Sequence, residues 1–243
     1  MPETARRSLQ VHLVHAHPEP CSFVAAMRDV LLEAFEARGD RVTLSDLYAM
    51  AFDPVASAAD FLAPQRADYL VYAREQRHAF AAGSLAPDIR AEVERVLAAD
   101  LIAFTFPVFW FSTPAILKGW IERVFLAGRF YGGRRIYGSG GLAGRRAFVA
   151  CSLGARAHMF GPEAIHGELE TGLLRHFLQG TLGYVGLAVH RPFIAYHVPY
   201  VEEADRCAIL EELRRCVLGL EARPVLPMPD PGDYDETFAP RRP

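Results

Sequence analysis

Leu101 to Phe111 reads LIAFTFPVFWF. Its first part, Leu101 to Pro107, is a continuous apolar run interrupted only by Thr105. A membrane-crossing helix needs ~20 apolar residues, and these 11 fall short. A run of this kind suits a strand buried on both faces, as in a parallel sheet covered by helices. On its N-terminal side, Pro87 to Ala98 (PDIRAEVERVLA) predicts a helix with proline at its start. On its C-terminal side, Ser112-Thr113-Pro114 opens another, since Ser or Thr caps and proline is tolerated at the first helical position. Ile116, Leu117, Trp120, Ile121, Val124 and Phe125 give that helix a broad apolar face.

The same alternation runs along the whole chain. Leu9 to Val14 predicts a strand that ends at His15-Ala16-His17-Pro18. Phe23, Met27, Val30, Leu31 and Phe35 form a helical stripe within Ser22 to Arg38, with Ser22 as N-cap and Gly39 as the stop. Arg41 to Leu47 reads as a second strand. Met50 to Leu85 reads as loop with one short helix, and Arg129 to Gly144, rich in glycine, as loop. Arg146 to Ser152 and Leu187 to Tyr196 are further strands, with helices expected within Ile165 to Leu178 and over Glu202 to Leu218. Five strands alternating with helices imply an α/β, doubly wound parallel sheet with helices on both faces. One domain is expected over residues 1–220, followed by a proline-rich tail, 221–243, either extended or disordered.

Composition excludes several classes. Of 243 residues 51% are hydrophobic, too many for a disordered chain. A net charge of −3 does not suit a nucleic-acid partner. The N-terminus MPETARRSLQ lacks an apolar core of signal-peptide length, so a soluble, cytoplasmic protein without membrane insertion is expected. Cys21, Cys151, Cys207 and Cys216 make no CxxC pair and signal neither a zinc knuckle nor a redox dithiol.

In a doubly wound sheet, ligands bind beyond the carboxyl ends of the strands. That singles out His17 to Ser22, Pro107 to Thr113 and Ser152 to His166. The first loop, HAHPEPCSF, leads from a strand into a helix whose N-terminus could hold an anion or end an ordinary turn. His15 and His17 alternate, but no further metal ligands accompany them. Phe109, Trp110 and Phe111 cannot all point inward where a strand ends, so some should border a flat pocket suited to a planar ring. The glycines of CSLGARAHMFGPEAIHG let backbone approach a ligand. His166 in that stretch reads, by itself, as a structural or exposed histidine rather than a catalytic one.

HAHPEPCSF, SDLYAM with FDP, LAADLIAFTFPVFWFSTPAILKGWIERVF and AIHGEL occur in that order. Together they resemble the NAD(P)H:quinone oxidoreductase (DT-diaphorase) family of the flavodoxin-like superfamily, from about Val11 to about Leu218. The resemblance implies a five-stranded flavodoxin-like sheet in the order 2-1-3-4-5, a homodimer and a bound FAD, with FMN the lesser alternative. NADH or NADPH would reduce the flavin and leave, and a quinone would then take two electrons in the same place. His17, Cys21, Ser22 and Phe23 match the positions at the pyrophosphate and ribose, with Cys21 and Val24 where the family has threonine and asparagine. Pro107, Val108, Trp110 and Phe111 match the segment along the isoalloxazine. Ser152, Leu153, Gly154 and Ala155 match a loop whose amides and hydroxyls bond the ring edge. Arg206 and Leu210 match residues near the adenine. The catalytic residues implied are His166 and the amide at Gly154. Substrate contacts are implied for Trp110, Phe111, Phe160, His166 and, from the partner chain, Tyr131. Phe160 replaces a tyrosine that shares charge with the histidine, and Gly133 a second pocket tyrosine, which widens the pocket. No metal ligands carry over. A reductase of azo or nitro compounds and a regulatory flavoprotein subunit of a potassium-efflux system are the alternative readings of the same resemblance.

Overall fold

The computed structural model describes residues 7–241. Residues 1–6 of the expected domain and 242–243 of the expected tail lie outside the described residues. The elements follow the expected alternation: β1 (Gln10–His15), α1 (Phe23–Ala37), β2 (Arg41–Asp46), α2 (Tyr72–Ala82), α3 (Pro87–Ala98), β3 (Leu101–Pro107), α4 (Ala115–Val124), β4 (Arg146–Ser152), α5 (Arg175–Phe177), β5 (Ala188–Val189), β6 (Phe193–Ala195) and α6 (Glu203–Leu218). The sheet is parallel in the order β2-β1-β3-β4, with β5 and β6 both pairing β4. The fifth strand therefore arrives in two pieces. Pro192, which has no N–H for the ladder, sits between them.

β3 is buried along its entire length. Its residues divide by parity, as strand side chains must. Ile102, Phe104 and Phe106 pack with Ile89, Val93 and Trp120 of α3 and α4. Leu101 and Ala103 pack with Leu31 and Phe35 of α1 and Leu213 and Val217 of α6. Each face of the sheet thus has its own core.

Local signals explain both ends of α1. The Ser22 side chain accepts from the Ala25 N–H, and Gly39 at φ +80° ends α1 in the left-handed conformation that glycine adopts without strain. α4 departs from expectation. It starts at Ala115 with Pro114 as the capping residue and no side-chain cap, and the Ser112 hydroxyl is engaged elsewhere. Gly119 lets α4 press against the chain at Pro54: a Cβ there would lie 2.2 Å from the Pro54 carbonyl oxygen. The helix expected within Ile165 to Leu178 is irregular and longer. Wide π-type turns at Leu169–Leu173 and Leu178–Gly183 flank α5. Gly172, Gly180 and Gly183 lie within these turns, and glycine disfavours a regular α-helix. The proline-rich tail runs extended past β5, where the Leu226 N–H donates to the Val189 carbonyl (2.8 Å).

A buried carboxylate ties four elements together. Glu92 of α3 accepts from Ser45 of β2 (2.9 Å) and from the indole N–H of Trp120 of α4 (2.8 Å), and is paired with Arg95. His12 Nε2 of β1 lies 3.7 Å away. Burial alone would raise this carboxyl, but the neighbouring His12 ring and the Trp120 and Ser45 donors outweigh it and hold its pKa down to about 2. Such a group stabilises the fold fully above its ordinary value near 4.5 and ceases to do so as pH falls towards 2. Glu92→Leu, which leaves buried donors without an acceptor, is expected to cost about 3–5 kcal/mol in urea unfolding at pH 7. The difference from wild type should shrink steadily between pH 5 and pH 2; a pH-independent difference would contradict the assignment.

Candidate active site

A trough of about 640 Å³ crosses the carboxyl ends of the sheet. His17, Cys21, Ser22, Phe23 and Val24 line it from the loop after β1 and the start of α1. Pro107, Val108 and Phe109 follow β3, and Ser152, Leu153 and Gly154 follow β4. Val198 and Pro199 close it beyond β6, and Glu203, Arg206, Cys207 and Leu210 do so from α6. A second recess of about 260 Å³ shares Val108, Leu153 and Gly154 and adds Trp110, Phe111, Ala155, Phe160 and Leu169. The two hollows together bring in every residue expected at the dinucleotide. Val198, Pro199 and Glu203 were not expected there. Applying the strand-end rule to the fifth strand as well as the first, third and fourth would have found the first two.

The end at α1 presents backbone N–H groups to the trough. The first N–H groups of a helix have no intrahelical acceptor, and α1 has no acidic residue in its first turn to compete for them. The loop spends other donors on itself: the Cys21 N–H bonds the Glu19 carboxylate (2.9 Å). The Glu19 N–H donates to Nδ1 of His17 (3.0 Å). The Glu19 carbonyl lies 3.1 Å from the same nitrogen, so the loop engages Nδ1 whichever ring nitrogen carries the proton. His15, the alternate histidine, is buried, and burial, only partly offset by Asp46, lowers its pKa to about 4. Among the described residues no three His, Cys, Asp or Glu side chains group to hold a metal ion.

The loop after β4 is tied to the loop after β6. The Leu153 N–H donates to the Ala195 carbonyl (2.9 Å), the Val198 N–H to the Leu153 carbonyl and the His197 N–H to the Ala155 carbonyl. His197 Nδ1 holds the Gly154 carbonyl at 3.0 Å. One expectation changes here, because the Leu153 amide is already committed and has nothing left for a ring edge. The N–H groups of Gly154 and Ala155 meet no protein acceptor among the described residues. A Cβ at Gly154 would touch only the edge of Tyr200, at 3.7 Å.

The aromatic stretch after β3 forms a tight reversal. Phe109 and Ser112 exchange backbone hydrogen bonds of 3.0 and 2.9 Å, and Trp110 and Phe111 between them have φ +52° and +57°. Positive φ at both central residues marks a type I′ pattern, normally made by Asn and Gly. All three aromatics are exposed, Trp110 at 97%, so none is absorbed by the core. Phe111 lies 5.1 Å, centroid to centroid, from the His166 ring, and Phe160 lies 5.4 Å from it on the other contact. His166 is thus held by ring packing at the edge of the smaller recess.

Tyr131 is elsewhere. It packs on Tyr184 at 5.7 Å and borders a separate hollow with Lys118, Ile121 and Phe125. Within one chain it does not join the trough. Gly133 stands beside it at φ +57° with no atom within 4 Å of where a Cβ would be.

The chain has clear relatives. A family model of the flavodoxin-like fold matches residues 10–217. NAD(P)H dehydrogenase (quinone) 1 of Rattus norvegicus is 36% identical over 207 residues, covering 85% of this chain and 74% of the relative. Ribosyldihydronicotinamide dehydrogenase (quinone) of Mus musculus is 36% identical over 206 residues, covering 83% and 87%. A solved structure from Klebsiella pneumoniae, described as a candidate quinone reductase, superimposes with a TM-score of 0.91 at 32% identity, covering 96% of this chain and 94% of that one. With the parallel sheet, the trough at its carboxyl edge and this extent of identity, the chain belongs to the flavodoxin-like NAD(P)H:quinone oxidoreductase family.

Proposed function

We propose that the chain is an FAD-dependent NAD(P)H:quinone reductase that works as a homodimer. The observation that supports this most is the trough itself, with anion-binding backbone at one end and an apolar aromatic recess beside His166 at the other. The residues present fit a flavin dinucleotide. The helix N–H groups of α1 and the His17 imidazole suit a pyrophosphate. The unspent amides of Gly154 and Ala155 suit the polar edge of a ring system, and Val108, Trp110 and Phe111 suit its flat apolar body. The trough continues to Arg206, Cys207 and Leu210 on α6, which leaves room for an adenylate and favours FAD over FMN.

A bound flavin supplies acceptance and release of two electrons at once, chemistry that no side chain performs. The chain's own residues position the reactants and answer the charge. Phe111, Phe160 and Trp110 make an apolar recess in which an aromatic ring stacks and water is displaced. Gly154 and Ala155 direct preset donors toward negative charge, and such donors cost no reorganisation when the charge develops. His166 holds an imidazole N–H beside the same recess. Phe160 has no hydroxyl to assist it, so His166 bears this role without a phenol partner. Tyr131, turned away from its own trough, supports a partner chain as the source of the lid over each site.

The purified protein should release FAD, identified by mass, and should be a dimer by light scattering at micromolar concentration. FMN alone, or no flavin after reconstitution, would overturn the cofactor assignment. A fully active monomer would overturn the shared site. His166→Gln should slow NAD(P)H-driven flavin bleaching in stopped flow about tenfold, or ~1.4 kcal/mol. That is less than the ~3–4 kcal/mol of a lone oxyanion donor, because the backbone amides remain. Wild-type bleaching in His166→Gln would make the residue structural. Phe160→Tyr should match or exceed the wild-type rate.

A further inference from the structure

We infer that Ser112 and His176 are positioning residues for this reaction: their hydrogen bond clasps the strained Phe109–Ser112 turn and so keeps Phe111 against His166. The inference rests on the reductase reading for its kinetic consequences and on geometry alone for the clasp. Ser112 Oγ lies 2.9 Å from His176 Nε2. His176 Nδ1 lies 2.9 Å from the Leu173 carbonyl, which only accepts, so the ring proton is on Nδ1. Nε2 is then the acceptor and the Ser112 hydroxyl the donor. Thr181 Oγ donates to the His176 carbonyl (3.0 Å) and fixes the residue's backbone.

The clasp closes a mechanical circuit. Next to His176, Phe177 is buried edge-on against Phe104 and Phe106 of β3, each at 5.4 Å. The turn leaves the end of that same strand. Both anchors of the Ser112–His176 bond therefore refer to β3, and the turn between them cannot relax without breaking it. The turn needs such a hold. Trp110 and Phe111 occupy a left-handed conformation that residues with a Cβ rarely keep unless their surroundings impose it. Ser112 is also released from capping α4, whose N-cap is Pro114. Among the described residues its hydroxyl has no other partner than His176.

The test uses the full-length protein as purified, with Ser112→Ala, His176→Leu, the double variant, and the rescuing variants Ser112→Thr and His176→Gln, which restore a donor and an acceptor. Trp110 is almost fully exposed and Trp120 fully buried, so a change in the fast decay of tryptophan anisotropy reports on the turn. Ser112→Ala and His176→Leu should each enlarge that fast component at unchanged melting temperature. Each should lower the limiting rate of flavin reduction about tenfold with little change in nicotinamide Kd. The double variant should be no slower than the slower single one, and the rescuing variants should regain most of the rate. Unchanged anisotropy in both broken variants, or rate losses that multiply in the double variant, would overturn the clasp. A protein that takes up no flavin would overturn the reductase reading instead, and the anisotropy alone would then decide the clasp.

Discussion

A strand without a solvent face dictates where this molecule can act. Every residue of Leu101–Pro107 is buried, with Leu101 and Ala103 committed to the core under α1 and α6 and Ile102, Phe104 and Phe106 to that under α3 and α4. Helices cover both faces and parallel neighbours take both edges, so ligand can meet β3 only beyond its ends, and the trough lies beyond the carboxyl one. There Pro107 terminates the strand, the Val108 N–H crosses to the Ser152 carbonyl (2.8 Å), and the chain must reverse before α4. Whatever stands in that reversal faces the trough. The loops after β1, β4 and β6 meet it because their strands are held in register with β3.

The reversal is energetically close to balanced rather than favourable. A left-handed residue with a Cβ costs roughly 1–2 kcal/mol, and there are two in succession. Two reciprocal backbone bonds and the Ser112–His176 bond return about 1 kcal/mol each. Little remains to fix the conformation unless its far end is anchored, which gives the irregular turns around α5 a structural use. Regular helix would carry His176 along a fixed spiral, whereas the π-type turns around α5 let Leu173 and Thr181 both reach it.

The parts legible in the sequence are those set by local rules. The buried run of β3, the Ser22 cap with its Gly39 stop, and the apolar face of α4 each follow from neighbouring residues alone. The strand order came with the family resemblance, since several orders satisfy the same alternation. Pro192 is the one local signal for the broken fifth strand, and the apolar residues on either side read as a single strand. Ser112 read as a helix cap because serine before Thr-Pro ordinarily is one. Its actual partner lies 64 residues away, and no local pattern reports that distance. The cost of a committed Leu153 amide was equally invisible, because it depends on where β6 docks.

These distinctions decide which departures from the family pattern matter in the proposed enzyme. At the proposed pyrophosphate end the work would fall to backbone N–H groups and the His17 ring, so replacing side-chain hydrogen-bonding groups by Cys21 and Val24 would leave the backbone donors in place. The Val24 side chain is buried against the core in any case. At the ring end the backbone offers two amides, at Gly154 and Ala155, with Leu153 withdrawn. Loss of a hydroxyl at Phe160 therefore removes a larger share of the polar groups there than loss of two at the first loop. What Phe160 returns is apolar contact: its ring also packs on Tyr196 at 6.0 Å, so it joins His166 to the wall of the recess. The imidazole is held by shape on both contacts, by Phe111 through a turn that must be clasped and by Phe160 through a ring that can only pack.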